Sequence, residues 1–163
     1  MIVKIQGFIA LAVYDRYGRL VEVTKGRNIV TDIGQRYYVK KGAGKTPDLD
    51  FTGGGIKLGT SKIPATKSDI DVSSYIDGSY MFLVEGYPTA DDTDTDNPYR
   101  GPDYVTWKYR YNYGLVFSNV NEAAIVDAEE ASGALCHFLF SVTKSKPTDY
   151  IWQIWVNHKF QGV

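Results

Sequence analysis

The chain has 163 residues, with 18 Lys and Arg against 19 Asp and Glu for a formal net charge of −1. That length suits one domain whose core needs no metal or disulfide, and the charge balance argues against a protein built to grip a phosphate backbone. Hydrophobic residues at 44% and charged residues at 23% place it among folded globular chains. Thirteen Tyr and 16 Gly favour strands joined by tight turns. Cys136 is the only cysteine, so no disulfide forms within the chain, which suits assembly in a reducing cytoplasm.

The opening MIVKIQGFIALAVYD is apolar enough to resemble a signal peptide, but it lacks a basic n-region, and Lys4 and Gln6 interrupt it at strand spacing. It is predicted to be a strand with Val3, Ile5, Ile9, Leu11 and Val13 on one face. No run approaches the roughly 18 apolar residues of a membrane span. Asp15-Arg16-Tyr17-Gly18 reads as a turn with Gly18 at positive φ, and Leu20 to Thr24 returns as the partner strand. A helix is predicted over 32–41, capped by Thr31, with Asp32 at the positive end of its dipole and Gly42 as its stop.

Irregular chain from Gly42 to Gly55 leads to a short strand, Ile56 to Leu58, and a loop from Thr60 to Ser68. Ser79 to Glu85 is predicted as a strand, and 86–103 as a long acidic loop. Tyr104 to Tyr113 alternates cleanly, with Val105, Trp107, Tyr109, Tyr111 and Tyr113 on one face. Strands follow at Glu122 to Asp127, Ala134 to Val142 and Asp149 to Phe160. Many short strands with one short helix indicate a mainly β fold, an antiparallel β-sandwich with jelly-roll forms included, spanning 1–163 as a single domain.

The last strand is loaded on both faces. Trp152, Ile154, Val156 and Phe160 share one face and are expected to point inward; Ile151 and Trp155 lie on the other. A strand with one buried face would carry small polar groups there. Ile151 and Trp155 are therefore expected to be covered by a second layer, from a loop or from another subunit.

Gly42-Ala43-Gly44-Lys45-Thr46 is a fragment of a phosphate-binding loop, but Val39 occupies the place of its first glycine and a helix precedes it, so a helix stop is the better reading. Asp92, Asp94 and Asp96, with Asp103 at the twelfth place, have the carboxylate spacing of a calcium loop. Asn97 replaces its turn glycine and Arg100 stands at the ninth position, which favours a solvated acidic loop. His137 and His158 lie within strands, and Cys136 points away from His137, so both histidines are read as structural. The Trp107-Tyr109-Tyr111-Tyr113 stripe is either core or a surface for stacking on sugars or proteins, with core favoured. No catalytic, cofactor-binding or metal-ligating set is assigned.

Four segments resemble a diffuse family of tailed-bacteriophage virion proteins. They are the Tyr14 to Leu20 turn followed by Asn28-Ile29-Val30-Thr31-Asp32-Ile33-Gly34; Ile56-Lys57-Leu58-Gly59-Thr60 with Pro64, Thr66, Ser68 and Asp69; Asn121-Glu122-Ala123-Ala124-Ile125 with Gly133-Ala134-Leu135; and the closing Thr148 to Phe160 strand. The resemblance implies a non-enzymatic structural component of the virion, assembled in the host cytoplasm, with a capsid decoration (cement) protein ahead of a small tail, tail-fibre or baseplate component. It also implies self-association into a homo-oligomer such as a trimer, and contact with the major capsid protein or tail proteins. Neither nucleic acid nor membrane is an expected partner. A carbohydrate-binding module is the alternative from another class, resting on the aromatic stripe.

Overall fold

The computed structural model describes residues 3–162, with side chains from Lys4 to Phe160; Met1, Ile2, Val163 and the Val3 side chain lie outside it. Strand β1 (Val3–Tyr14) turns at Asp15 into β2 (Leu20–Val30). The Asp15 carboxylate accepts from the Tyr17 amide at 2.9 Å and the Arg19 amide at 3.0 Å, and Gly18 takes a φ of 75°. A short polar side chain and a glycine thus close the hairpin where the sequence places it.

Helix α1 (Asp32–Gly42) begins where the Thr31 hydroxyl accepts from the Gly34 amide at 2.9 Å. The same hydroxyl donates to the Ala134 carbonyl, which fastens the cap to a strand. The helix stops slightly later than expected. Gly42 is its last residue; Gly44, at a φ of 68°, provides the left-handed turn, with Gly44 N–H donating to Lys41 and Lys45 N–H to Lys40.

After the helix come β3 (Gly55–Gly59), β4 (Met81–Phe82), β5 (Tyr104–Tyr111), β6 (Phe117–Val126), β7 (Ala134–Lys146) and β8 (Ile151–Gly162). They form one antiparallel sheet in the order β4-β3-β6-β7-β2-β1-β8-β5. The sheet folds into two layers, β2-β1-β8-β5 and β4-β3-β6-β7, joined where Ile29 and Val30 of β2 pair with His137 and Cys136 of β7. Pairing is nested: β1 with β8, β2 with β7, β3 with β6, and the chain after β4 reaching β5 through Val84 N–H to the Lys108 carbonyl at 2.9 Å. The result is a nearly closed, mainly β fold with one short helix, as the strand patterning indicates.

Between the layers lie Ile9, Leu11 and Val13 of β1, Trp107, Tyr109 and Tyr111 of β5, and Trp152, Ile154 and Val156 of β8. Ile56, Leu58, Val120, Ile125, Phe138 and Phe140 meet them from the opposite layer. Burying so many large side chains is the main stabilising term of the fold. Phe160 departs from the inward set of the closing strand: it is 38% exposed and packs edge-on against the Tyr38 ring.

The strand expected over Ser79 to Glu85 shrinks to two residues. This segment crosses between layers, pairing with β3 at Met81 and Phe82 and with β5 at Val84, so neither ladder can lengthen. Conversely β2 runs past Thr24 to Val30, because it changes partners from β1 to β7 instead of ending.

Candidate functional site

Three polar networks and an unpaired edge of β2 stand out among the described residues. The first network lies over the outer face of the β1–β8 layer. Ile151 and Trp155 are buried there with Ala10, Ala12 and Tyr14, and the loop between β4 and β5 covers them, Tyr99 packing on the group. Tyr99 also stacks on Phe8 with ring centroids 5.0 Å apart. The second face of β8 is therefore closed by a loop of this chain, and a neighbouring subunit is not needed for it.

The acidic residues anchor that loop. Asp92 is buried and accepts from the Tyr87 hydroxyl at 2.8 Å and the Asn97 side-chain amide at 2.8 Å. Asp94 accepts from Lys108 Nζ at 2.8 Å, and Asp96 from the Tyr14 hydroxyl at 2.7 Å. Asn97 continues to Asn157 Oδ1 at 2.8 Å, which Thr106 also reaches. Three carboxylates with the spacing of a calcium loop thus face three separate protein donors, whereas a bound calcium needs them to converge on one point. Among the described residues no three His, Cys, Asp or Glu side chains gather as a metal-ligating group.

The second network is in the core. Trp107, Tyr109 and Tyr111 have no exposed surface, so this stripe is core and offers no stacking platform. Tyr113 lies beyond the strand and is exposed. Trp107 Nε1 donates to the Tyr38 hydroxyl at 2.8 Å, and Tyr38 in turn donates to His158 Nδ1 at 2.5 Å. Burial pushes the His158 ring down to about 3, which keeps it neutral and able to accept that bond. Burial likewise pushes the Cys136 thiol up to about 12, far from the thiolate a nucleophile needs.

The third network clasps the loop after β3. His137 of β7 places Nε2 2.9 Å from Glu122 Oε1 on β6, and Nδ1 2.6 Å from Asp69 Oδ2 in the loop. The fully buried Glu122 carboxylate also accepts from the amides of Ser61 at 2.9 Å, Ser73 at 2.6 Å and Ser74 at 3.0 Å. One side chain therefore holds both ends of this loop. Gly59 makes room for it, since a Cβ there would sit 2.6 Å from Glu122 Cγ. Beside the clasp, buried Lys57 donates to Asp71 at 3.0 Å and to the Glu129 carbonyl at 2.7 Å.

Charges in this clasp hold one another. Burial works against the imidazolium of His137, but the hydrogen bonds and charges of Glu122 and Asp69 outweigh it and lift the ring above its ordinary 6.5. Burial also works against the two carboxylates. For Glu122 the His137 ring and the serine amides more than offset it, and for Asp69 the Thr66 amide and His137 do so; both fall below the ordinary range. Nothing in the residue spacing points to this set. The available signal was a charged residue within an apolar strand, Glu122 before Ala123-Ala124-Ile125 and His137 between Cys136 and Phe138.

No family model, characterised protein or solved structure matches this chain. The likeness to phage virion proteins therefore rests on the quoted motifs, three of which meet in one place. Thr31 N–H donates to the Leu135 carbonyl at 3.1 Å, Gly34 abuts the same carbonyl, Gly59 abuts Glu122, and Asp69 meets His137 between them. The Gly42 to Thr46 segment lies at the carbonyl end of α1, where the helix dipole repels phosphate.

The histidines make opposite contributions to stability. His137 has a raised folded-state pKa, so its stabilisation is complete below 6.5 and is lost as pH rises through the raised value. His158 is lowered to about 3, so protonation favours the unfolded chain from 6.5 downward. By about pH 5 that alone costs about 2 kcal/mol. Glu122 and Asp69, both lowered, add to the loss only at still lower pH, as it falls toward their folded-state values. Urea unfolding across pH should show maximal stability near neutrality. His137→Gln should flatten the alkaline arm, and His158→Gln the arm between about pH 5 and 6.5.

What the fold leaves unpaired is an edge. From Leu20 to Arg27, β2 pairs with β1 on one side and has no ladder on the other among the described residues. Leu20, Val21 and Val23 are 44%, 54% and 38% exposed along it. Lys144 Nζ reaches Glu22 at 2.6 Å and Thr24 at 2.9 Å across the gap between β7 and β2.

Proposed function

We propose that this chain is a structural module of a phage virion, a decoration protein of the capsid surface, that associates with copies of itself and with other particle proteins. The observation that carries the reading is the open β2 edge. An eight-residue backbone edge with exposed Leu20, Val21 and Val23 is a template for another strand or an apolar surface. Glu22 stands between Val21 and Val23, and Lys25 and Arg27 follow them, which restricts pairing to a charge-matched partner. A small tail component would use the same edge.

The clasped loops support the same reading. Both long loops are fastened at several points by buried charges and amides, which gives a surface of fixed shape suited to repeated contacts in a symmetric shell. Each polar network is occupied in holding a loop or in filling the core.

Sedimentation velocity at rising concentration tests the self-association. The expected result is a concentration-dependent oligomer for the natural chain and a monomer for Val21→Glu, whose exposed position leaves folding intact. A natural chain that stays monomeric at millimolar concentration would remove the support for self-association.

A further inference from the structure

The ladder between β1 and β2 stops at Gly7 and Asn28, while β1 continues to Val3 against β8 on its other side. β2 meanwhile swings away to β7. The strands part and leave an open notch of about 590 Å³, within the range of small-molecule sites. Lys4, Arg27 and Lys67 line it together with Gln6, Asn28 and Gln35, and no Asp or Glu does. In a chain with a net charge of −1, this is a local segregation of positive charge.

Two further observations mark the notch as built. Lys4, Arg27 and Lys67 make no ion pair among the described residues, whereas Lys57, Lys108 and Lys144 are each held by a carboxylate. Asn28, in the wall of the notch, is only 9% exposed, and neither Oδ1 nor Nδ2 has a hydrogen-bond partner. The place opposite it is Gly7, where any Cβ would collide with the Asn28 carboxamide. A buried amide left without a partner costs about 1–3 kcal/mol, so an apolar residue of similar shape would serve the fold better. Lys67 is fixed beside the notch through its carbonyl, which accepts from the Asp32 amide at 2.8 Å.

We infer that this notch binds an oxyanion, a phosphate or carboxylate group on a small molecule or a neighbouring chain. Lys4, Arg27 and Lys67 neutralise the charge. Gln6 and Gln35 offer neutral donors at the rim. The Asn28 amide lies under the surface of the wall and reaches the anion only on a turn of its side chain. The Arg27 guanidinium, resting 5.6 Å from the Phe8 ring centroid, is held on that side of the opening. The inference does not need the virion reading, because it concerns the end of β2 where Arg27 and Asn28 leave β1, away from the exposed Leu20, Val21 and Val23.

Amide NMR titration at low ionic strength tests it, with inorganic phosphate in one arm, citrate in a second and chloride as the control. Saturable shifts are expected at Gly7, Lys67 and both the backbone and side-chain amides of Asn28, in at least one of the first two arms. The stronger arm identifies the chemistry of the natural ligand. Lys67→Glu, an exposed substitution, should weaken binding at least tenfold with the rest of the spectrum unchanged, and Arg27→Glu should do the same. Shifts that stay linear to the end of both titrations, that chloride reproduces, or that persist in Lys67→Glu would overturn the assignment.

Discussion

Glu122→Ala should destabilise the fold by about 3–5 kcal/mol, the range for removing one partner of a buried charged pair. The buried carboxylate holds His137 on one side and the amides of Ser61, Ser73 and Ser74 on the other. Its loss leaves three amides seeking an acceptor and His137 with only Asp69. Urea unfolding measures the total, and limited proteolysis locates it: new cleavage should fall within residues 60–74. Glu122→Gln keeps an acceptor for the serine amides but loses the charge facing His137, so its cost should be smaller. A Glu122→Ala protein with natural stability would show that the loop is held by packing of its apolar residues instead.

Trp155→Ala should cost about 3–5 kcal/mol, through lost burial plus the cavity left behind. Its particular signature is local. Trp155 supports the loop between β4 and β5, with Lys108 Nζ 5.4 Å from its ring while that amine holds Asp94. Hydrogen exchange should therefore quicken across residues 86–103 well before it quickens in β6 or β7. Uniform acceleration throughout the chain would mean that the loop is not a separately fastened layer.

Alternation of side chains made the β1–β2 hairpin, β5 and β8 legible, because inward and outward sets differ sharply in Ile9-Leu11-Val13 and Trp107-Tyr109-Tyr111. Thr31 and the glycines after Lys41 marked the helix by local chemistry that needs no tertiary context. The double loading of β8 correctly indicated a second cover, but a sequence does not say which segment provides it. That cover is the acidic loop, whose Asp92, Asp94 and Asp96 bind Tyr87, Lys108 and Tyr14. The same spacing that suggests calcium serves here as a series of loop anchors.

The clasp was illegible for a different reason. Asp69, Glu122 and His137 lie far apart in sequence, and only the pairing of β3 with β6 and β6 with β7 brings them together. Their meeting place is also where three of the virion-like motifs converge. Those motifs then have a physical meaning: glycine, threonine and acid are each needed for a close approach or a cap in one junction.

Mass spectrometry of intact, purified phage particles from the host that encodes this chain tests the central claim most directly. The virion reading expects the chain among the particle proteins in many copies, in a fixed ratio to the major capsid protein. Its absence from particles, while the same cells contain the folded chain, would contradict that reading.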